Sequence, residues 1–407
     1  MATELTKGQI KPLADAIQYK PPFFGGTLKI PTESFTLFYG QVDNAQRIDL
    51  FNPTEERPVG CARKMDSSNF QCAFDAERLG LVGIACGNLI FGKAELKTVK
   101  AELYKLNVYG PGSFFKPHKD TPRDKTMFGS LVVTFPTTHE GGELVLRHKG
   151  NEKVMDFAAW LKEEDEPCVA YAAFFSDVEH EVLEVKSGYR VTITYNLYFE
   201  DAPATAPDSS SPFPVRALIP PSEQRFEEAL AKLLNDPTFL PDGGTLGFGF
   251  EHQYPITIPH PEFPKKAPKN QLKPFLRVLK GNDAMVLQMF RRQGLDPFVA
   301  AIYEVDHFQF MCDKIIDLGE MYEESEVDKV RDCGGIIINC RPNNDWQLEV
   351  EEPVAWIKMP TDHNRQGFPY LAYGNEAQLE YLYGDLCLIV RVEPFGVRAQ
   401  PAVKHEG

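Results

Sequence analysis

The chain has no run of about eighteen consecutive apolar residues, and its opening stretch MATELTKGQIKPLADAIQYK contains no apolar h-region. Neither a membrane-spanning helix nor an export signal is therefore expected. The eight cysteines (61, 72, 86, 168, 312, 333, 340 and 387) never fall in CxxC spacing, which removes the common zinc and redox-pair patterns. Without a leader they read as reduced thiols, and the expected location is cytoplasmic. Basic residues are scarce: 43 Lys+Arg face 58 Asp+Glu for a net charge of −15, and basic runs stop at dipeptides such as Lys265-Lys266 and Arg291-Arg292. Such a surface repels polyanions, so nucleic acid is not an expected partner. No internal repeat is evident, and the histidines after residue 222 (252, 260, 307, 363 and 405) include no His-x-Asp.

With 407 residues, 43% of them hydrophobic, the chain exceeds the size at which one core stops growing. Residues 1–95 combine Pro- and Gly-rich entry segments (PPFFGG, 21–26) with expected helix, notably AFDAERLGLVGIACGNLI (73–90), and are read as a helical buttress. Residues 96–200 carry short strand-like runs separated by turn signals: VKAELYKLNVY, GSFFKPH, FGSLVVTFP, GGELVLRH, CVAYAAFF, HEVLEV and YRVTITYNLYF. That spacing predicts a mainly β fold with flanking helices, a double-stranded β-helix or jelly roll. Residues 201–222 are dense in Pro, Ser and Ala and read as a linker. Residues 223–407 read as a mixed α/β accessory region, with helices at 222–237 and 279–295 and buried strands at GGIIINC (334–340) and DLCLIVRV (385–392).

The chemistry concentrates in FFKPHKDTPR (114–123) and DVEHEVLEVKSGYRVTITYNLYF (177–199). Residues two apart on a strand point to one side, so His118 and Asp120 can aim an imidazole and a carboxylate at one point, with His180 as the third corner. Two histidines and a carboxylate on one face of an octahedron are the ligand set of a non-haem Fe(II) oxygenase, with positions left for a chelating co-substrate and dioxygen. Arg190 would then grip the far carboxylate of 2-oxoglutarate with its planar fork; its other reading is a surface ion pair with a residue such as Glu184. Arg190, Thr192 and Thr194 fall on one face of their strand, and Val191, Ile193 and Tyr195 on the other. A polar interior and an apolar exterior follow.

YGPGSFFKPHKDTPR, GGELVL, AFFSDVEHEV and SGYRVTITYNL together resemble the prolyl 4-hydroxylase-like branch of the Fe(II)/2-oxoglutarate dioxygenases over about residues 96–200, and the N-terminal half is also similar to a group of fungal dioxygenases. The resemblance implies that His118, Asp120 and His180 bind Fe(II) and that Arg190, a position where many members carry lysine, binds the C5 carboxylate of 2-oxoglutarate. It further implies consumption of dioxygen, release of succinate and CO2, and hydroxylation of an aliphatic C–H of an amino acid, prolyl or free, or of a small metabolite. Asn107 and Tyr109 match positions where relatives contact 2-oxoglutarate; Asn107 and Thr192 fit a purely structural role equally well. Arg123 either meets a substrate carboxylate or pairs with Asp124. His139 and His148 read as exposed turn and strand residues, and Trp160, Phe174 and Phe175 as core. A non-catalytic barrel scaffold for protein interaction is the alternative reading, and a cupin-like barrel using its metal for non-redox chemistry a third. Neither has a chemical need for all four of His118, Asp120, His180 and Arg190.

Overall fold

The structure, a computed structural model, describes residues 4–40, 46–51, 63–90, 98–121, 123–200, 221–256, 272–305, 307–316, 326–340, 348–361, 382–384 and 386–398. The expected linker lies outside the described residues over 201–220, as do Lys265-Lys266, His260, His363 and His405. Among the described residues no helix is long and apolar enough to cross a membrane.

The jelly-roll expectation holds. Its larger sheet orders the strands Phe23–Lys29, Cys168–Phe175, Met127–Thr134, Arg190–Glu200, Thr98–Tyr109 and Arg63–Asp66; the smaller orders Asn151–Met155, Leu144–His148, Glu179–Val182 and Phe115–His118. A two-stranded ladder joins Val185–Gly188 to His139–Gly141. Strand pairing assigns the two faces of the large sheet. Arg190 lies opposite Tyr109, Thr192 opposite Asn107 and Thr134, and Asn196 opposite Ser130, which in turn lies opposite Phe174. Directly paired residues share a face, so this polar set looks inward towards the smaller sheet. The alternate residues Leu131, Val133, Val191, Ile193 and Tyr195 are buried in one cluster with Phe35, Phe74, Leu81 and Ala85. At roughly 1.5–3 kcal/mol for each buried large apolar side chain, this outer layer is what holds the sheet rigid behind the site.

Residues 1–95 depart from the helical expectation. The described part contains two helices, Glu4–Ala16 and Leu81–Leu89, and five strands. Phe23–Lys29 forms an edge of the large sheet, running its full length against Cys168–Phe175; a Pro- and Gly-rich entry concealed this strand because glycine and proline signal turns. Of these two helices, Leu81–Leu89 is the one that packs on the barrel, beside Phe35 and Phe74. Ile10, Leu13 and Ala16 of the first helix instead join the core of the C-terminal half, beside Phe226 and Leu230.

That half is built on a six-stranded sheet ordered Ile336–Cys340, Phe308–Cys312, Phe298–Val305, Cys387–Val392, Gly244–Gly249 and Val354–Lys358. The final pair is parallel. Helices Pro221–Leu234 and Gly281–Arg292 fall on the expected helical stretches 222–237 and 279–295, each ending about three residues early.

The two halves meet through a buried polar cluster. Asp177, 2% exposed, accepts a hydrogen bond from Lys280 Nζ at 2.7 Å, from Gln253 N at 3.0 Å and from His252 Nδ1 at 3.2 Å. Burial opposes ionisation of Asp177, but Lys280 and His252 hold its carboxyl well below the usual range. Burial also drives the His252 imidazole down to about 4, whereas an unfolded histidine titrates near 6.5. Because the folded value is depressed, the unfolded chain takes up a proton that the native protein refuses between those limits. The contribution of His252 is complete above pH ~6.5 and is lost as pH falls towards 4, on the order of 3 kcal/mol. Asp283, pushed up to about 7 by burial, acts in the opposite sense over this window, so the contribution is read by difference. His252→Gln is expected to make the urea midpoint fall less between pH 7.5 and 4.5 than in wild type; an unchanged pH dependence would contradict the buried, neutral state of His252.

Candidate active site

His118 ends the strand Phe115–His118 and lies directly opposite His180 in the strand Glu179–Val182. Their ring centroids are 4.2 Å apart. Asp120 follows two residues later, beyond the strand end, and places Oδ1 3.7 Å from His180 Nε2. One ligand atom from each of the three residues lies within 4.8 Å of the others. The alternation argument thus reaches the right point even though Asp120 itself is not in a strand.

Each of the three candidate ligands is held by a neighbour. His118 Nδ1 is 2.9 Å from the Lys116 carbonyl and His180 Nδ1 is 3.2 Å from that of Val178. A ring nitrogen that donates to a carbonyl fixes the tautomer and leaves Nε2 as the lone-pair nitrogen. Ser130 Oγ donates to Asp120 Oδ2 at 2.6 Å, which leaves Oδ1 towards the histidines. The Phe174 ring lies 4.7 Å from that of His180 and the Phe115 ring 4.4 Å from that of His118. Burial drives the His118 imidazole down to about 4, helped by His180 and opposed by Asp120. It is neutral at physiological pH, the form a metal ligand needs.

Arg190 is not on the surface. It is 1% exposed, no described carboxylate pairs with it, and Nε and Nη2 have no hydrogen-bond partner. Burial lowers its pKa to about 10, so it stays charged at neutral pH. Its guanidinium lies 5.5 Å from the Tyr109 ring and 5.9 Å from the Phe157 ring. Gly142, at φ +72°, makes room: a Cβ there would come within 3.0 Å of Arg190 Cδ and 2.9 Å of Val185 Cγ2. A buried, unpaired guanidinium is a large unfavourable term unless an anion completes it. The surface ion pair with Glu184 is thereby overturned.

The remaining sequence candidates divide. Tyr109, Asn107 and Thr192 share the inner face with Arg190. Arg123 donates from Nη2 to the Tyr104 hydroxyl and lies 5.1 Å from its ring centroid, while Asp124 accepts from Thr126. The expectation of exposed histidines at 139 and 148 fails: they are 7% and 9% exposed, and His148 lies against Asp177 and stacks on His252 of the C-terminal half. His139 is held down by burial, with the Arg190 charge adding to it. Four groups in or next to the site escaped the sequence reading. Ser130 and Thr134 are four residues apart on one strand, a period-two signal that was available; Thr134 Oγ1 is fully buried without a partner. Phe174, taken as plain core, also touches His180. Asp177 carried no local signal.

Two imidazoles and a carboxylate with open faces suit a divalent first-row metal, and an orphaned buried guanidinium suits a dicarboxylic co-substrate. The residues present therefore fit both Fe(II) and 2-oxoglutarate.

Comparison with known proteins follows the same line. The model of the 2OG-Fe(II) oxygenase superfamily matches residues 104–198. A search of curated proteins finds no match. Among solved structures, the chain is similar to an oxidoreductase of the 2OG-Fe(II) oxygenase family from Burkholderia pseudomallei at 17% identity, covering 45% of this chain and 76% of that one with TM-score 0.24. It is similar to a Pseudomonas putida prolyl-4-hydroxylase at 24% identity, covering 24% and 55% with TM-score 0.19. A Trichoplax adhaerens prolyl hydroxylase, solved in complex with a hypoxia inducible factor oxygen degradation domain peptide fragment, aligns at 13% identity over 49% and 94% with TM-score 0.26. The family match spans the triad and Arg190, and with the His-Asp-His group it supports a 2-oxoglutarate-dependent dioxygenase, a family that works with Fe(II), 2-oxoglutarate and O2.

Proposed function

We propose that the enzyme hydroxylates an aliphatic C–H of an amino acid, peptide-bound as a prolyl residue or free, or of a small metabolite, with succinate and CO2 as co-products. His118, Asp120 and His180 hold the iron, and Arg190 anchors the C5 carboxylate of 2-oxoglutarate, flanked by Tyr109, Thr192 and Asn107. The observation that carries this reading is the unpaired guanidinium of Arg190 on the same inward face as Ser130, whose hydroxyl holds the ligand Asp120. A scaffold would gain stability by losing such a charge.

When bound, Fe(II) and 2-oxoglutarate supply the oxidative decarboxylation that activates dioxygen. The protein's share is positioning and exclusion of water. The backbone carbonyls of Lys116 and Val178 orient the two imidazoles. Ser130 fixes the plane of the Asp120 carboxylate. Phe157 and the Tyr109 ring wall the guanidinium off from solvent, so its attraction for a carboxylate is not screened by water. Arg123 would meet a substrate carboxylate, a role its tether to Tyr104 rather than to Asp124 leaves open to it. The motifs shared with prolyl 4-hydroxylase-like and fungal dioxygenases support an amino-acid substrate.

Anaerobic addition of Fe(II) and 2-oxoglutarate to the full chain is expected to give a visible charge-transfer band, and air should then release succinate. A screen of peptides and metabolites for a mass gain of one oxygen identifies the substrate. Loss of both the band and the succinate would overturn the assignment.

A further inference from the structure

Resting on the dioxygenase reading, we propose that the C-terminal half is a working part of the iron site: Gln253 and Lys280 are positioning residues that clamp both ligand-bearing segments at once. Gln253 reaches each of them. Its side-chain Oε1 accepts a hydrogen bond from Lys119 Nζ, and Lys119 stands between the ligands His118 and Asp120. Its backbone N–H donates to Asp177 Oδ2 at 3.0 Å. Asp177 lies three residues before His180, and the intervening Val178 carbonyl takes the His180 Nδ1 contact. Lys280 closes the ring by donating to Asp177 Oδ1 at 2.7 Å and to the Gln253 carbonyl at 2.9 Å.

The clamp is itself braced. Asp283, at the start of helix Gly281–Arg292, accepts the backbone N–H groups of Glu251 at 2.7 Å and His252 at 3.1 Å, and the Tyr254 hydroxyl at 2.8 Å. The Tyr254 hydroxyl in turn accepts the Lys280 N–H at 2.9 Å. Gly281 has φ +48°, and a Cβ there would lie 2.8 Å from His252 Nε2; only glycine lets the helix start press against that ring. Lys280 and Asp177 are 2–3% exposed, so this is a desolvated, hydrogen-bonded pair and not a surface bridge. His148, Asp177 and His252 also meet the spacing of a metal group, but the positive charge that Asp177 requires is already supplied by Lys280. The cluster is a latch between the halves, and its place in the chain couples that latch to the geometry of all three ligands.

Groups that hold metal ligands in place change metal affinity by roughly 10–100-fold, and that is the readout. Co(II) serves as an air-stable probe of the full chain, with affinity and the visible d–d spectrum recorded below the unfolding temperature of every variant. Gln253→Ala is expected to weaken Co(II) roughly tenfold and alter the d–d band, Gln253→Glu to restore both by keeping an acceptor for Lys119, and Lys280→Met to weaken Co(II) by up to about a hundredfold. Should Lys280→Met fail to fold, the Gln253 pair decides. If the wild-type protein binds no Co(II) that His118→Ala removes, the dioxygenase reading itself fails. If the wild type binds and folded Gln253→Ala binds with the same affinity and spectrum, the clamp is overturned while the dioxygenase reading stands.

Discussion

Replacing Arg190 by methionine is expected to make the protein harder to unfold while destroying its grip on 2-oxoglutarate. The two effects have one cause. In the folded protein the guanidinium is 1% exposed, with Nε and Nη2 unpartnered, and burial lowers its pKa to about 10. The free protein thus carries a desolvated charge whose compensation arrives only with an anion. Substituting a buried charge by an apolar side chain of similar length stabilises by about 1–4 kcal/mol in comparable settings. Removing one partner of a buried charge pair costs about 2–5 kcal/mol of affinity, roughly thirtyfold to several thousandfold. Calorimetric titration with 2-oxoglutarate and urea unfolding of the same samples give both signs. Arg190→Lys keeps the charge but loses the planar fork, and should fall between wild type and the methionine variant in affinity. A methionine variant that unfolds more easily and binds 2-oxoglutarate normally would make Arg190 a structural residue.

How much of this was open to the sequence depends on the distance over which each feature is encoded. His118, His180, Arg190 and its inward neighbours lie on strands whose period-two alternation sorts faces without knowledge of the partner strand, and Asp120 follows His118 by two residues just past the strand end, so this set was legible. Whether Arg190 met a carboxylate of its own chain or of a ligand was not, because that depends on which acidic groups the fold brings near. The Phe23–Lys29 strand was hidden by the turn chemistry of PPFFGG, and its strand character comes from pairing with Cys168–Phe175, a tertiary effect that overrides local propensity. The first helix fell within the expected 1–95 buttress, yet Ile10, Leu13 and Ala16 join the C-terminal core, since a helix's apolar stripe does not name the surface it will cover. Least legible was the seam. Lys280, His252 and Asp177 each look like an ordinary polar residue in HQY, LKGND and FSDVEH, and only the fold brings together groups 75 to 103 residues apart.

Asp120→Ala is expected to lower turnover by more than about a thousandfold, the largest catalytic loss among the single substitutions considered, because it removes the one anionic ligand of the set. Two imidazoles 4.2 Å apart between ring centroids remain, and neutral nitrogens alone hold a divalent ion weakly and leave its charge uncompensated. Ser130 loses its acceptor at the same time, yet the Asp120 side chain is 21% exposed, so water can replace it and the fold should survive with a melting temperature within a few degrees of wild type. That separation between activity and stability is the discriminating feature. Ser130→Ala supplies the calibration: the carboxylate remains but can rotate, so metal affinity is expected to fall by only about 10–100-fold. Succinate release and one-oxygen mass gain, measured beside circular dichroism, test the order wild type, Ser130→Ala, Asp120→Ala. An alanine variant at position 120 that still released succinate at the wild-type rate would move the iron elsewhere; one that left the cellular phenotype unchanged despite inactivity would favour the scaffold. The expected order follows from charge and geometry: orientation of a carboxylate is worth tens of fold, its presence thousands.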